Sequence, residues 1–385
     1  MKIALIRQNY TPNGGAERYA QAIAQGMAAR GHEVHLLARS WPVAGAAGCQ
    51  FRRVPTVNFS SSLRTLSFAL ACRRMLAREK FDLVFSLERT LDQDVYRAGD
   101  GCHREWLAQR APHRSRLQRA GEPFNVHHRL VRGLERRIFS PRHTRLVIAN
   151  SRRGRDEIIR HFGFPDDRIR VIYNGVDCER FHPPAARHAG REVRLLFVGS
   201  SFTRKGLQFA IAALARLPEH FVLHIAGKGD IARQLRLAGT LGVTARVRHL
   251  GFNLDTARLL QSADLLVHPA IYEPFANVCL EALASGVPVV TSRINGVSEI
   301  IEPGRNGAVV ESPNDAAELA AAIRLFETHP ARTEASRAAR ATAERFEVSR
   351  HVSQTLTALE GVLAAKLADQ PVSFAESLCQ TAALR

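Results

Sequence analysis

The sequence predicts an α/β protein built from two open parallel sheets in succession. Three observations carry this: a strand, glycine turn, helix, strand opening; a second run of the same pattern from about residue 193; and a Pro- and Ala-rich stretch, His182-Pro183-Pro184-Ala185-Ala186, between them. At 385 residues with 45% hydrophobic content, the chain suits two cores better than one. It has no apolar run of about 18 residues, so no transmembrane helix is indicated. The apolar start Met1-Lys2-Ile3-Ala4-Leu5-Ile6 reads as a strand and not as a signal peptide. The six cysteines include no C-x-x-C pair, which favours neither a zinc site nor a disulfide framework and fits a reducing cytoplasm.

Strand Lys2–Ile6 leads through a loop into Gly14-Gly15-Ala16-Glu17-Arg18. Tyr19, Ala20, Ile23, Ala24 and Met27 then fall on one helical face that Gly31 ends, before a strand at 33–37. Gly14 and Gly15 let backbone come close to a phosphate or sugar, and a plain tight turn explains the dipeptide equally well. A helix at 66–77 and a strand at 81–86 lead to Asp92, Asp94, Asp100 and His103. An Asp-x-Asp pair such as Asp92 and Asp94 can hold a metal through oxygen ligands; here it reads as coincidence, because cationic side chains elsewhere can meet a diphosphate. Asp100 and His103 follow a strand end, where a site opens in such sheets, although a structural role is the plainer reading of each alone.

Between His103 and Arg145 eleven arginines meet only Glu105, Glu122 and Glu135, with Trp106, Leu107, Phe124, Val126 and Leu130 interleaved. This segment concentrates the net charge of +18. It reads as an amphipathic helix pair on an anionic membrane surface, with Arg132, Arg136 and Arg137 in contact. A solvated basic face and a nucleic-acid contact fit the charge alone.

A strand at 145–149, the cap Asn150-Ser151, a helix to about 162 and a strand from 169 close the first half. The second half alternates strands at 193–199, 221–226, 247–251, 264–268 and 287–291 with a loop at 200–206 and helices at 207–217 and 315–326. The tail is helical around 352–367. Neither a full G-x-G-x-x-G nor a Walker loop occurs, so dinucleotide oxidoreduction and P-loop hydrolysis lose support.

The stretch on which the rest depends begins at Tyr272. A strand enters it, Pro274 stops that strand, and Val278, Leu280, Ala282, Leu283 and Ala284 give a buried helix closed by Gly286. Glu273 therefore sits on a loop and Glu281 inside a helix. Eight helical steps span about 12 Å, the reach from a ribose across a diphosphate to a hexose, and the helix N-terminus between the two carboxylates favours an anion. Two glutamates at this spacing also occur by chance in many chains.

The run Tyr272-Glu273-Pro274-Phe275, continuing through Glu281-Ala282 to Gly286-Val287-Pro288-Val289-Val290, resembles the signature of retaining glycosyltransferases of the GT-B type, in the family known as GT4. Asn174-Gly175-Val176-Asp177 and the basic loop Phe202-Thr203-Arg204-Lys205-Gly206 resemble two further stretches of that family. Ala276 stands where many members carry Gly, which narrows the backbone approach to the sugar. The resemblance implies two Rossmann-like α/β/α domains facing a central cleft. Residues 1–181 would bind the acceptor, with a C-terminal helix of about 350–385 packing back, and residues 182–349 would bind the nucleotide sugar.

The resemblance also implies donor contacts from Gly14, Gly15, Arg204, Lys205, Phe275, Ala276, Asn277 and Glu281. Glu273 would orient the transferred sugar, with Asp100 and His103 as further catalytic candidates. Within the family the sequence is similar to the lipopolysaccharide core glucosyltransferases, through Gly14-Gly15 with Arg18, Ser40-Trp41, Asp94-Val95-Tyr96, Asp100 and His268-Pro269-Ala270. That likeness implies transfer of a hexose, glucose from UDP-glucose, to the inner-core heptose of lipopolysaccharide at the cytoplasmic face of the inner membrane. No metal, no cofactor and no nucleic-acid partner are implied. Another donor or acceptor, or a GT-B-type epimerase or phosphorylase, would share the fold. A non-enzymatic nucleic-acid binder explains the charge but leaves the glutamate pair and glycine loops without a purpose.

Overall fold

The computed structural model describes residues 1–8, 15–41, 48–116, 119, 121–186, 190–252 and 254–368. Gly14 and residues 369–385 lie outside these, as do the side chains of residues 15–18. Among the described residues the strands form two sheets. The first joins β1 (Lys2–Ile6), β2 (Glu33–Ala38), β3 (Cys49–Arg53), β4 (Leu83–Ser86), β5 (Val95–Ala98), β6 (Leu146–Ala149) and β7 (Ile169–Val171) in the order β3-β2-β1-β4-β5-β6-β7. The second joins β8 (Val193–Val198), β9 (Phe221–Ala226), β10 (Val247–Gly251), β11 (Leu265–His268), β12 (Val289–Ser292) and β13 (Gly307–Val310) in the order β10-β9-β8-β11-β12-β13. Each order runs outward both ways from its first strand, which is the doubly wound arrangement. The central pairings are parallel, with Ile3 opposite Val34 and Leu265 opposite Leu195.

The chain divides into two compact units, one of Met1–Arg97 and Arg137–Val147 with residues 353–368, the other of Ala98–Arg136 and Ile148–Val352. In the first, the helix Gly15–Ala29 buries Tyr19, Ala20, Ile23, Ala24 and Met27, the face expected from periodicity. The helix Val348–Ala368 buries Leu356, Leu359 and Leu363. Thr355 accepts a hydrogen bond from the Tyr19 hydroxyl at 3.1 Å, and Lys366 Nζ lies 2.8 Å from Asp94 Oδ2. Asp94 also accepts the Val84 amide at 2.8 Å, while Asp92 pairs with Arg137 at 2.8 Å and Arg73 at 3.3 Å. Both acidic side chains of the Asp-x-Asp are thus structural. Arg137, expected on a membrane face, is instead committed here: its Nε donates to the Leu91 carbonyl at 2.8 Å and its Nη2 to Asp92.

In the second unit β11 and β12 are buried at every position, because a central parallel strand is covered on both faces. Phe197, Phe202, Leu207, Ile211, Leu214 and Phe221 fill one core, and Phe275, Cys279, Leu280, Leu283, Ala339 and Ala343 fill another. Each fully buried Leu or Phe contributes about 1.5–3 kcal/mol relative to an exposed one. Several elements differ from expectation. The helix expected at 66–77 runs Ser61–Arg78, because the Ser60 hydroxyl accepts the Leu63 amide and caps it early. The loop expected at 200–206 contains a helical turn, Phe202–Lys205.

Candidate active site

The loops after β8 and β11 leave neighbouring strands where the strand order reverses, the usual ligand position in such sheets. After β8, Ser201 adopts φ 62°, the one positive φ outside glycine among the described residues, and Gly206 follows at φ 82°. A Cβ on Gly206 would stand 1.9 Å from the Pro269 carbonyl oxygen, so the turn closes directly on the β11 loop. Phe202 is buried against Phe197, with ring centroids 6.0 Å apart, which anchors the turn and presents Arg204 and Lys205. Their cations meet one carboxylate: Arg204 Nη1 is 3.0 Å and Lys205 Nζ 3.4 Å from Glu273 Oε2. Arg204 Nη1 also donates to the Tyr272 carbonyl at 3.3 Å, and the Ile271 amide donates to the Arg204 carbonyl at 2.9 Å.

The backbone on either side of Glu273 is held from β12 onward. Asn295, fully buried, accepts the Ala276 amide at 3.2 Å and donates to Thr291 Oγ1 at 3.0 Å, while the Gly296 amide donates to the Glu273 carbonyl at 3.0 Å. Burial first, then the neighbouring Lys205 and Arg204, hold the His268 imidazole well below its usual pKa, so it is neutral. Burial likewise pushes the Cys279 thiol up.

The helix Asn277–Ala284 places Asn277 on the surface, where its Oδ1 accepts from Asn174 Nδ2 at 2.5 Å, and leaves Glu281 half-buried. Its far end is closed by Arg340, which donates to the Ala284 carbonyl at 3.0 Å. Phe275 and Ala276 are 4% and 2% exposed. Their side chains belong to the core, which leaves the backbone for any ligand contact.

Asp100 is exposed, and His103 opens the helix His103–Arg110, its amide donating to Glu135 Oε1 at 2.7 Å. The His103 ring is turned to His128, Nε2 to Nδ1 at 3.0 Å, and Arg110 Nη2 lies 2.8 Å from His128 Nε2. A guanidinium only donates, so His128 accepts at Nε2 and carries its proton on Nδ1, directed at His103. Burial, helped by Arg110, lowers the His128 pKa and agrees with this neutral form. On the helix Val126–Ile138, Val131, Leu134 and Ile138 are buried, Arg132 is half-buried and Arg136 exposed. Gly15 begins the helix Gly15–Ala29 in the first unit.

Sequence reasoning missed Tyr272. Its hydroxyl accepts the Cys102 amide at 2.9 Å and donates to Glu157 Oε2 at 2.7 Å. The Glu157 carboxyl is raised to about 7 by burial, against the opposing pull of Arg153, whose Nε is 2.8 Å away. Tyr272 lies inside the stretch singled out from sequence, yet no local signal marks its hydroxyl.

Two doubly wound sheets, with cations and a carboxylate grouped where the second reverses its strand order, fit a glycosyltransferase of the GT-B type. The chain belongs to the GT4 glycosyltransferases: the pattern described as Glycosyltransferase Family 4 matches residues 13–180, and that described as Glycosyl transferases group 1 matches residues 179–345. It is 28% identical to the lipopolysaccharide glucosyltransferase WaaG of Escherichia coli K12 over 340 residues, 84% of this chain and 89% of that one. An uncharacterized glycosyltransferase of Methanocaldococcus jannaschii is 30% identical over 347 residues, 82% of this chain and 86% of its own. The crystal structure of WaaG, a glycosyltransferase involved in lipopolysaccharide biosynthesis, matches with a TM-score of 0.80 at 26% identity, covering 93% of this chain and 100% of that one.

Proposed function

We propose that the protein is a retaining, metal-independent transferase that moves glucose from UDP-glucose to the inner-core heptose of lipopolysaccharide. The observation that carries this reading is the grouping of Arg204, Lys205 and Glu273 on the loops after β8 and β11. Two fixed cations match a diphosphate and stabilise the charge that grows on it as it departs. Side chains thus supply the positive charge, while Asp92 and Asp94 are already engaged by Arg137, Arg73 and Lys366. The likeness to WaaG supports the acceptor class.

In the reaction the acceptor hydroxyl attacks the anomeric carbon on the face from which the diphosphate leaves. The new carbon–oxygen bond forms as the bond to the β-phosphate oxygen breaks, and the hydroxyl proton passes to that departing oxygen. Glu281 accepts ribose hydroxyls and Glu273 orients the sugar. Backbone at Phe275, Ala276 and Asn277 serves the donor. Asp100 and His103 serve the acceptor side. Residues 1–181 with the closing helix take the acceptor, and residues 182–349 the donor. Calorimetric titration with UDP in EDTA, with GDP as control, is expected to show UDP binding. Binding of neither nucleotide refutes the reading.

The acceptor's lipid places the protein at the cytoplasmic face of the inner membrane. Among the described residues no helix is long and apolar enough to cross a membrane. Phe124 and Val126, 80% and 70% exposed, stand at the start of the helix that carries Arg132 and Arg136, which fits contact with anionic headgroups. Charge reversal at Arg132 and Arg136 is expected to weaken binding to vesicles containing anionic lipid by about 1 kcal/mol or more for each residue. Equal binding in a sedimentation assay discards the contact.

A further inference from the structure

Three parts of the second unit meet at Tyr272. Its hydroxyl is bonded to the amide of Cys102, two residues after Asp100, and its carbonyl accepts from Arg204. Its chain neighbour is Glu273. We propose that Tyr272 is a positioning residue of the transfer reaction: its hydroxyl clasps the loop carrying Asp100 and His103 to the loop carrying Glu273, so that acceptor-side and donor-side groups stay aligned. The proposal rests on the transferase reading above.

Both the donor and one acceptor position of the hydroxyl are used, and the partners are shielded from water: Tyr272, Cys102 and Glu157 are 3%, 1% and 2% exposed. A phenylalanine would leave a buried amide and a buried carboxyl without that partner. Gly101 shows how close the two loops run. At φ 70°, a Cβ there would lie 2.4 Å from the Tyr272 hydroxyl oxygen and 2.5 Å from Pro274 Cγ, so the Asp100 loop touches the residues on both sides of Glu273.

Glu157 is itself held in place. Arg153, on the same helix, Arg152–Phe162, also reaches Glu105 at 3.4 Å, and Glu105 in turn is bound by Arg160 at 2.9 Å and His161 at 2.7 Å. The charged and titratable groups facing Glu157 are therefore Arg153 and Arg160 from its own helix, Glu105 from the helix His103–Arg110, and Tyr272 from the Glu273 loop. The clasp is thereby tied to a carboxyl that ionises near neutrality, at about 7. Above that pH the carboxylate takes the hydroxyl proton more strongly, and the clasp tightens.

Three readouts test this. In Tyr272→Phe, kcat for transfer is expected to fall by about 10²-fold, the scale of a 1 Å misplacement, while the Kd for UDP stays near that of the wild type. Hydrogen–deuterium exchange at the Cys102 amide is expected to quicken in the same variant. The wild-type kcat is expected to rise through about pH 7, and in Glu157→Gln, which keeps an acceptor for the hydroxyl but cannot ionise, that rise is expected to vanish. Unchanged exchange at Cys102, a wild-type kcat in Tyr272→Phe, or a pH profile identical in Glu157→Gln each overturns the proposal alone. A wild-type protein that neither binds UDP nor transfers sugar overturns the transferase reading and the proposal together.

Discussion

Lys205→Ala is expected to lower kcat for transfer by about 10²–10³-fold, the loss found when one preorganised donor to a developing negative charge is removed. The fold should survive. Glu273 keeps Arg204 at 3.0 Å, and Lys205 is 13% exposed at the surface end of a turn that Phe202 anchors. The aliphatic part of Lys205 crosses Gly199, where a Cβ would meet Lys205 Cδ at 2.3 Å, so the ammonium is held in one direction rather than waving in solvent. Glu281→Ala is expected to act on binding instead: losing hydrogen bonds to a charged acceptor costs about 1.5–3 kcal/mol, read chiefly in the donor KM. Steady-state kinetics with a melting curve on each variant decides the matter, and near-normal activity in both removes the donor assignment.

Gly206→Ala is expected to destabilise the protein by about 3–5 kcal/mol. The added Cβ would lie 1.9 Å from the Pro269 carbonyl oxygen at a φ of 82°, and neither the backbone of the β11 loop nor the turn can give way cheaply. The melting temperature should drop by on the order of 10 °C, and residual activity should fall further than stability explains, because Lys205 is the preceding residue. A variant that melts with the wild type would show that the turn does not close on Pro269.

The central stretch was legible because its signals are local. An apolar run marks β11, Pro274 ends it, an apolar period marks the next helix and Gly286 closes it at φ 66°. Arg204 and Lys205 were legible only through family likeness, since a lone Arg-Lys pair on a loop carries no physical signature. What stayed hidden is what depends on distant partners. Tyr272 meets Glu157 and Cys102 across 115 and 170 residues, and Arg137 is claimed by Asp92 45 residues upstream, so an arginine read as a membrane contact is a structural brace. β3 escaped notice because its sequence, Cys-Gln-Phe-Arg-Arg, lies at the sheet edge, largely exposed, without the apolar run of a central strand.

The helix Val348–Ala368 supplies Thr355 to Tyr19, Glu360 to Arg30 and Lys366 to Asp94. A ribosome releases Asp94 long before Lys366 exists: 272 residues separate them, on the order of half a minute of translation. Throughout that interval Ile3, Met27 and Leu83 lack the Leu356, Leu359 and Leu363 side chains that line one cavity with them. The unit built on β1 therefore completes its apolar packing only after synthesis has passed through Ile148–Val352 of the other unit.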